Sequence, residues 1–259
     1  MKNQLIAFVL ALCIAACQPS QSGDQAAEKQ AAGADTSNVN MLTEEEKAAS
    51  WKLLFDGKST DQWRAYNQSN FPALGWVVKD GMLVIEKTPH PKPAGFGGDI
   101  ITKEQFGNFE LSLDFMITDT SNSGILYLAI EEKDSAIWHN APEYQILDNE
   151  TWSKMGAVPD MATHRTGDNY DLHAAPADYM KPKGYWNNAR ILHKDGHVEH
   201  WLNGNKTVEY QIGSPEWTAL VKKSKFNAYP MYGKAKQGHI GLQDHDHEVR
   251  FRNLKIRSW

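Results

Sequence analysis

The sequence predicts an all-β sandwich of two antiparallel sheets preceded by one short helix, and three observations carry that expectation. Short runs alternating between apolar and polar residues, rich in β-branched and aromatic side chains, recur from Trp51 to Trp259. Turn dipeptides such as Asp80-Gly81 and Asn203-Gly204 separate them, and after one short helix ahead of Trp51 no other segment has a convincing helix period. A curved sheet packed on one face leaves the other free, and that free face becomes a groove lined by the polar residues of its strands.

Residues 1–16 stand outside this fold. Lys2 precedes an apolar run, Leu5 to Ala16, that is too short to span a bilayer and has the shape of a signal-peptide core. It ends in Ile14-Ala15-Ala16-Cys17, which resembles the bacterial lipoprotein processing box. Cys17 is therefore expected to be the acylated first residue of a mature chain, anchored in the cell envelope of a Gram-negative bacterium. Its place is the periplasmic side or the outer-membrane surface, and an ordinary secretory signal is the alternative. Residues 17–41 then form a tether, because Gln18 to Asn40 has almost no large apolar side chain and cannot offset its ordering entropy. As a flexible coil it would span about 25 Å.

The folded domain, residues 42–259, opens with Thr43 followed by Glu46, a capping-box spacing that predicts a short helix before Trp51. Gly75 to Glu86 reads as two strands about Lys79-Asp80-Gly81. Phe109 to Thr118, Gly124 to Ile130, Tyr144 to Leu147 and Asn188 to His193 alternate as strands. His197 to Leu202 reaches the Asn203-Gly204 turn, with Lys206 to Tyr210 returning, and Gly238 to Gln243 and Val249 to Arg257 close the chain. Asn149 to Gly184 is long and irregular, and its aromatic and ionisable content predicts an ordered loop over the groove.

Charge and cysteine content exclude several classes. Both cysteines, Cys13 and Cys17, lie in the targeting segment, so the domain has no thiol nucleophile, disulfide or zinc-thiolate site. The formal net charge of -5 becomes -6 once Lys2 is removed, and no basic cluster is present. Nucleic acid is therefore not a partner, and neither is an anionic membrane surface beyond the lipid anchor. A neutral ligand fits better, and nine Trp with nine Tyr suit the C–H faces of sugars as well as an aromatic core.

The stretch Pro142 to Glu150, PEYQILDNE, spends strand positions on Glu143, Gln145 and Asp148. Together with Trp51-Lys52-Leu53-Leu54-Phe55-Asp56-Gly57, Asn122-Ser123-Gly124-Ile125, Trp186-Asn187, Trp201-Leu202-Asn203-Gly204, Gly238-His239-Ile240-Gly241-Leu242-Gln243-Asp244-His245 and Phe251-Arg252-Asn253, it resembles the bacterial 3-keto-disaccharide hydrolase domain family. The resemblance implies a concanavalin A-like jelly roll and action on 3-keto-glycosides, with a separate oxidoreductase supplying the 3-keto sugar. The same sandwich also hosts non-catalytic lectins.

Glu143-x-Gln145-x-x-Asp148 has the spacing of the Glu-x-Asp-x-x-Glu strand of laminarinase-type glycosidases, but with different groups, so the usual two-carboxylate displacement is not expected. A 3-keto sugar opens another route. Its C2 hydrogen is acidified by the ketone, so a base can remove it, the glycosidic oxygen can leave C1, and water can add back. Glu143 is the expected acid/base group and His245 the expected histidine base or metal ligand. Gln145, Asp148, Asn122 and Gln243 are expected at the sugar, with Arg165 and Asp171 closing the groove from the long loop. Trp201 and Trp186 fit either stacking on sugar or packing, and Arg252 an ion pair. A divalent metal is an open possibility, its candidate ligands being Asp148, His245 and His247. Two other readings stay open, a carbohydrate-binding module without turnover and an ordinary glycosidase acting on unoxidised glycans.

Overall fold

The computed structural model describes residues 38–156 and 161–259. The signal segment, Cys17 and nearly all of the tether lie outside the described residues. Among those described, no helix is long and apolar enough to cross a membrane.

The expected capping box is formed. Helix α1, Glu44–Ala48, starts at Thr43, whose hydroxyl accepts the Glu46 N–H while the Glu46 carboxylate returns to the Thr43 N–H. The strands follow as β1 Lys52–Leu53, β2 Trp63–Ala65, β3 Trp76–Lys79, β4 Met82–Ile85, β5 Ile100–Thr102, β6 Phe109–Ile117 and β7 Asn122–Ala129. After β8, Glu143–Leu147, comes helix α2, Asn149–Met155. Strands β9 Asn187–Lys194, β10 His197–Leu202 and β11 Asn205–Gln211 lead to helix α3, Pro215–Lys223, and β12 His239–Leu242 and β13 Val249–Ser258 complete the domain.

These strands build the expected two-sheet antiparallel jelly-roll sandwich. One sheet has eight strands, in the order β11-β10-β9-β6-β13-β4-β3 with β1 beside β13; the other has five, in the order β2-β5-β12-β7-β8. Between them lies a core that includes Trp63, Phe109, Phe115, Ile125, Tyr127, Tyr144, Ile146 and Phe251. Both predicted hairpins are tight, with Asp80 and Gly81 at φ 50° and 74° and Asn203 and Gly204 at φ 51° and 80°, the left-handed pair a type I′ turn requires.

Two helices depart from expectation. Helix α3 begins at Ser214, whose hydroxyl accepts the Trp217 N–H, with Pro215 in the first turn. Its stability comes from seating Trp217 in the core, a tertiary contact that periodicity alone does not reveal. Helix α2 grows directly from the end of β8, and its cap is Asp148.

The sheets differ in how their outer faces are treated. Strands β9 and β10 alternate buried and partly exposed residues, as expected of a sheet with one solvated face. In β8 all five residues are buried. Something therefore covers the outer face of the five-stranded sheet at that edge. The cover consists of a 3-10 turn at Ile137–His139, the segment that follows Met161, and a second turn at Lys225–Ala228.

Candidate active site

The register places the expected polar residues on that covered face. Glu143 and Gln145 project from β8 opposite Leu126 and Gly124 of β7, while Tyr144 and Ile146 turn into the core. Asn122 lies one step along β7, and the Gln243 N–H donates to the Gly124 carbonyl at 2.9 Å, which brings the end of β12 alongside. His245 follows two residues later.

Gly124 makes the arrangement possible. A Cβ there would lie 2.1 Å from Glu143 Oε1, so the carboxyl group occupies the space that any other residue would fill.

Asn122, Glu143, Gln145, Gln243 and His245 line one cavity with Trp138, Tyr170 and Lys225, and its volume is about 200 Å³. That is below the roughly 300–1,000 Å³ of drug-sized ligand pockets and suits a single sugar ring. Gln145 Oε1 accepts the Ile146 N–H at 3.2 Å, leaving its NH₂ for a ligand. Among the described residues, the Glu143 carboxyl group forms no hydrogen bond or ion pair, although the residue is only 5% exposed. Burial raises its pKa to about 8, against the lowering influence of Lys225 and with a further push from Asp99. At neutral pH it is therefore a protonated acid. Asp99, just ahead of β5, is itself raised to about 7 by burial, against the lowering hydrogen bond from the Asp244 N–H and with a smaller push from the Asp244 carboxylate.

Three loops supply the remaining wall. The Lys225 ammonium lies 4.3 Å from the ring centroid of Tyr170, 4.6 Å from that of Trp138 and 5.3 Å from that of Phe226. Burial pushes its pKa down while Glu143 and Asp171 push it up. Burial, with Glu143 and Asp171, raises the Tyr170 phenol to about 12, so it is a neutral hydrogen-bond donor. None of Trp138, Tyr170, Lys225 and Asp99 was singled out by sequence reasoning for this site. Aromatic and cationic residues scattered over three loops have no shared period, and only Tyr170 carried a signal, as part of the long loop.

Several expected residues lie elsewhere. Asp148 does not line the cavity. Its Oδ1 accepts the Thr151 N–H at 3.2 Å as the α2 cap and its Oδ2 accepts the Thr120 N–H at 3.0 Å, with Lys183 at 3.3 Å. Burial raises its pKa, but those hydrogen bonds outweigh burial and hold it below the ordinary range. Arg165 is turned toward the Ala175 carbonyl, to which Nη2 donates at 2.8 Å, and does not line the cavity. Asp171 sits behind the wall, where Oδ2 accepts the Lys225 backbone N–H at 3.3 Å.

Trp201 lies on the outer face of the other sheet, with Nε1 donating to Glu199 at 2.8 Å and the Arg190 guanidinium 4.9 Å from its ring. Trp186 is likewise remote, under the Arg252 guanidinium at 4.0 Å, and Arg252 pairs with Asp114 as expected. His247 leaves the face at the turn after β12, its Nδ1 bonded to the His245 carbonyl at 2.6 Å and its ring near Trp152.

Asp148, His245 and His247 consequently do not form a ligand set, since the carboxylate is consumed by its helix cap. Among the described residues, one group of three His, Asp or Glu side chains, His197, Glu199 and Glu209, has ligand-like spacing. It lies on the other sheet, where Lys206 already pairs with both glutamates.

Residues 50–257 match the family model of the 3-keto-alpha-glucoside-1,2-lyase-like domain. A Bacteroides thetaiotaomicron protein named 3-keto-disaccharide hydrolase is 31% identical over 262 residues, covering 93% of this chain and 89% of that protein. A crystal structure from Parabacteroides distasonis, provisionally named a glycosyl hydrolase, is similar with a TM-score of 0.77 at 36% identity, covering 85% of this chain and 99% of that one. Another from the same bacterium, with the same provisional name, has a TM-score of 0.59 at 31% identity, covering 81% and 99%. The chain belongs to the 3-keto-alpha-glucoside-1,2-lyase-like domain family and is a glycosidic-bond-cleaving enzyme.

Proposed function

We propose that this family member cleaves the glycosidic bond of 3-keto-glycosides by removing the C2 proton, eliminating the C1 substituent and adding water to the product. The observation that carries the reading is Glu143, a buried and unpaired carboxyl group in a small polar cavity, where burial favours its protonated form. Such a group cannot be the anionic nucleophile of a displacement at neutral pH, but it can deliver a proton to a departing glycosidic oxygen. The family's own description as a 1,2-lyase fits an elimination across C1 and C2.

The roles follow from the lining. His245, at the cavity's exposed rim, accepts the C2 proton. Glu143 protonates the leaving oxygen, and the amides of Asn122, Gln145 and Gln243 bond the sugar hydroxyls. Water then adds across the C1–C2 double bond, hydroxyl to C1 and proton to C2, so the sum is hydrolysis. The wider setting is a chain lipidated at Cys17 and held in the cell envelope, receiving its substrate from an oxidoreductase that oxidises the C3 hydroxyl of a glycoside.

Full-length protein incubated with a synthetic 3-keto-glucoside in D₂O tests this, with the unoxidised glucoside in parallel. The expected result is aglycone release from the keto compound alone, with deuterium entering at C2. Release from both at similar rates without C2 exchange would make the protein an ordinary glycosidase, and saturable binding without release a binding module.

A further inference from the structure

Resting on that reading, we propose that Lys225 is the cation that receives the negative charge developing on the C3 oxygen of the keto-sugar, with Trp138 and Tyr170 holding its ammonium at the cavity wall. Removal of the C2 proton moves the C–H electron pair into a C2–C3 double bond and places a full charge on that oxygen. The carbonyl then re-forms, the double bond shifts to C1–C2, and the glycosidic oxygen departs with the proton from Glu143. An elimination of this kind needs a fixed positive group at one oxygen.

Lys225 is the side chain of the lining that supplies it. Asn122, Gln145, Gln243 and Tyr170 offer partial charges only, and protonated Glu143 offers none. Lys47, Lys52, Lys92, Lys154, Lys183, Lys206 and Lys255 each pair with a carboxylate. Among the described residues, the Lys225 ammonium makes no hydrogen bond or ion pair and lies over three ring faces. Aromatic faces stabilise its charge without consuming its N–H donors, so those donors remain for a ligand.

The mounting is rigid. Lys225 opens the Lys225–Ala228 turn, where the Ser224 hydroxyl accepts the Phe226 N–H and Asp171 holds the Lys225 N–H. Next to it, Phe226 stacks on Tyr232 at 3.9 Å, Tyr232 on Trp217 at 5.8 Å, Trp217 on Tyr210 at 5.2 Å and Tyr210 on His173 at 4.6 Å. This buried column ties the turn to α3 and to β11. A cation held before the charge appears needs no reorganisation when it does.

Lys225→Met retains the apolar stem against Trp138 and Tyr170 while removing the charge, and Lys225→Gln serves as a second variant should Met impair folding. With a 3-keto-glucoside, kcat and the rate of C2 deuterium exchange are both expected to fall about 10²–10³-fold, the loss seen on removing one such donor. KM and the affinity for unoxidised glucoside should stay within about threefold, and Lys225→Arg should recover part of kcat because it restores charge. Folded Met or Gln variants with wild-type exchange and turnover would overturn the role, as would a loss confined to KM. Borohydride attachment of the sugar to Lys225 would overturn it as well, since the residue would then be a nucleophile. An active wild type with an unimpaired variant defeats this inference alone, whereas a wild type inactive on every 3-keto-glycoside defeats the reading of the site and the inference with it.

Discussion

The outer faces of the two sheets are both rich in charge and aromatic rings, yet they are built in opposite ways. On the eight-stranded sheet, buried Glu110 receives Arg190 and Arg257, Asp114 receives Asn253 and Asn188, and Trp186 and Trp201 lie under arginines. Each of those carboxylates and amides is answered, although Arg252 Nε makes no hydrogen bond among the described residues. On the five-stranded sheet the Glu143 carboxyl, the Asn122 and Gln243 side chains and the Lys225 ammonium form no hydrogen bonds among the described residues. A buried carboxyl group left unanswered costs stability, so the persistence of Glu143 marks the face that a ligand completes.

Glu143→Gln would break the contrast most severely. Turnover of a 3-keto-glucoside is expected to fall about 10²–10⁴-fold, the usual contribution of a positioned general acid. Stability should move the other way. Because the folded pKa of about 8 exceeds the unfolded value, the folded state binds the extra proton between roughly pH 4.5 and 8, and wild-type stability falls as pH rises through that window. The Gln variant lacks this dependence, so it should gain on the order of 4 kcal/mol over wild type at pH 8 relative to pH 4. Chemical denaturation at both values measures the difference, and equal pH profiles would remove the case for a protonated Glu143. For the same reason wild-type activity should decline above about pH 8.

Gly124→Ala comes next, since it leaves every functional group in place and denies Glu143 its position. A displacement of about 1 Å costs on the order of 10²-fold in rate, and that loss with an unchanged circular dichroism spectrum is the expected outcome. A fully active Ala variant would mean that the carboxyl group works from somewhere else.

Asp148→Ala sharpens the contrast from the structural side. Losing a helix cap should cost about 1–2 kcal/mol in unfolding free energy, with kcat on the keto-substrate unchanged in the folded protein. Its pH signature is opposite to that of Glu143. The folded pKa is depressed, so its contribution is present above the unfolded pKa near 4 and is lost as pH falls below it.

How much of this was legible in the sequence depends on how local the signal is. The strands of four or more residues announced themselves through period two, whereas β1, β2 and β5, with two or three residues each, are too short to show a period. The floor of the site was legible for the same reason, because alternation sets Glu143 with Gln145 and Gln243 with His245. It also held a warning about Asp148, which is an odd number of residues from Glu143 and so falls on the other side of a straight strand. The wall was not legible. Trp138, Tyr170 and Lys225 converge only after a column of rings has been packed between α3, β11 and the Lys225–Ala228 turn, and that is a property of the folded whole.

The smallest expected effect belongs to Trp201, for which the sequence fits either stacking on sugar or packing. Its indole donates to Glu199 and carries Arg190 at 4.9 Å and Lys206 at 5.7 Å, all on the eight-stranded sheet. Trp201→Ala removes two cation–π contacts worth about 0.5–1 kcal/mol each at exposed sites. Arg190 still reaches Glu110 and Lys206 still reaches Glu209, so neither cation is stranded. The expected result is a stability loss of about 1–2 kcal/mol, with kcat and KM for the keto-glucoside within about twofold of wild type. A severalfold rise in KM would show that the answered face also handles substrate, and unanswered polar groups would then no longer separate the working face of this sandwich from the other.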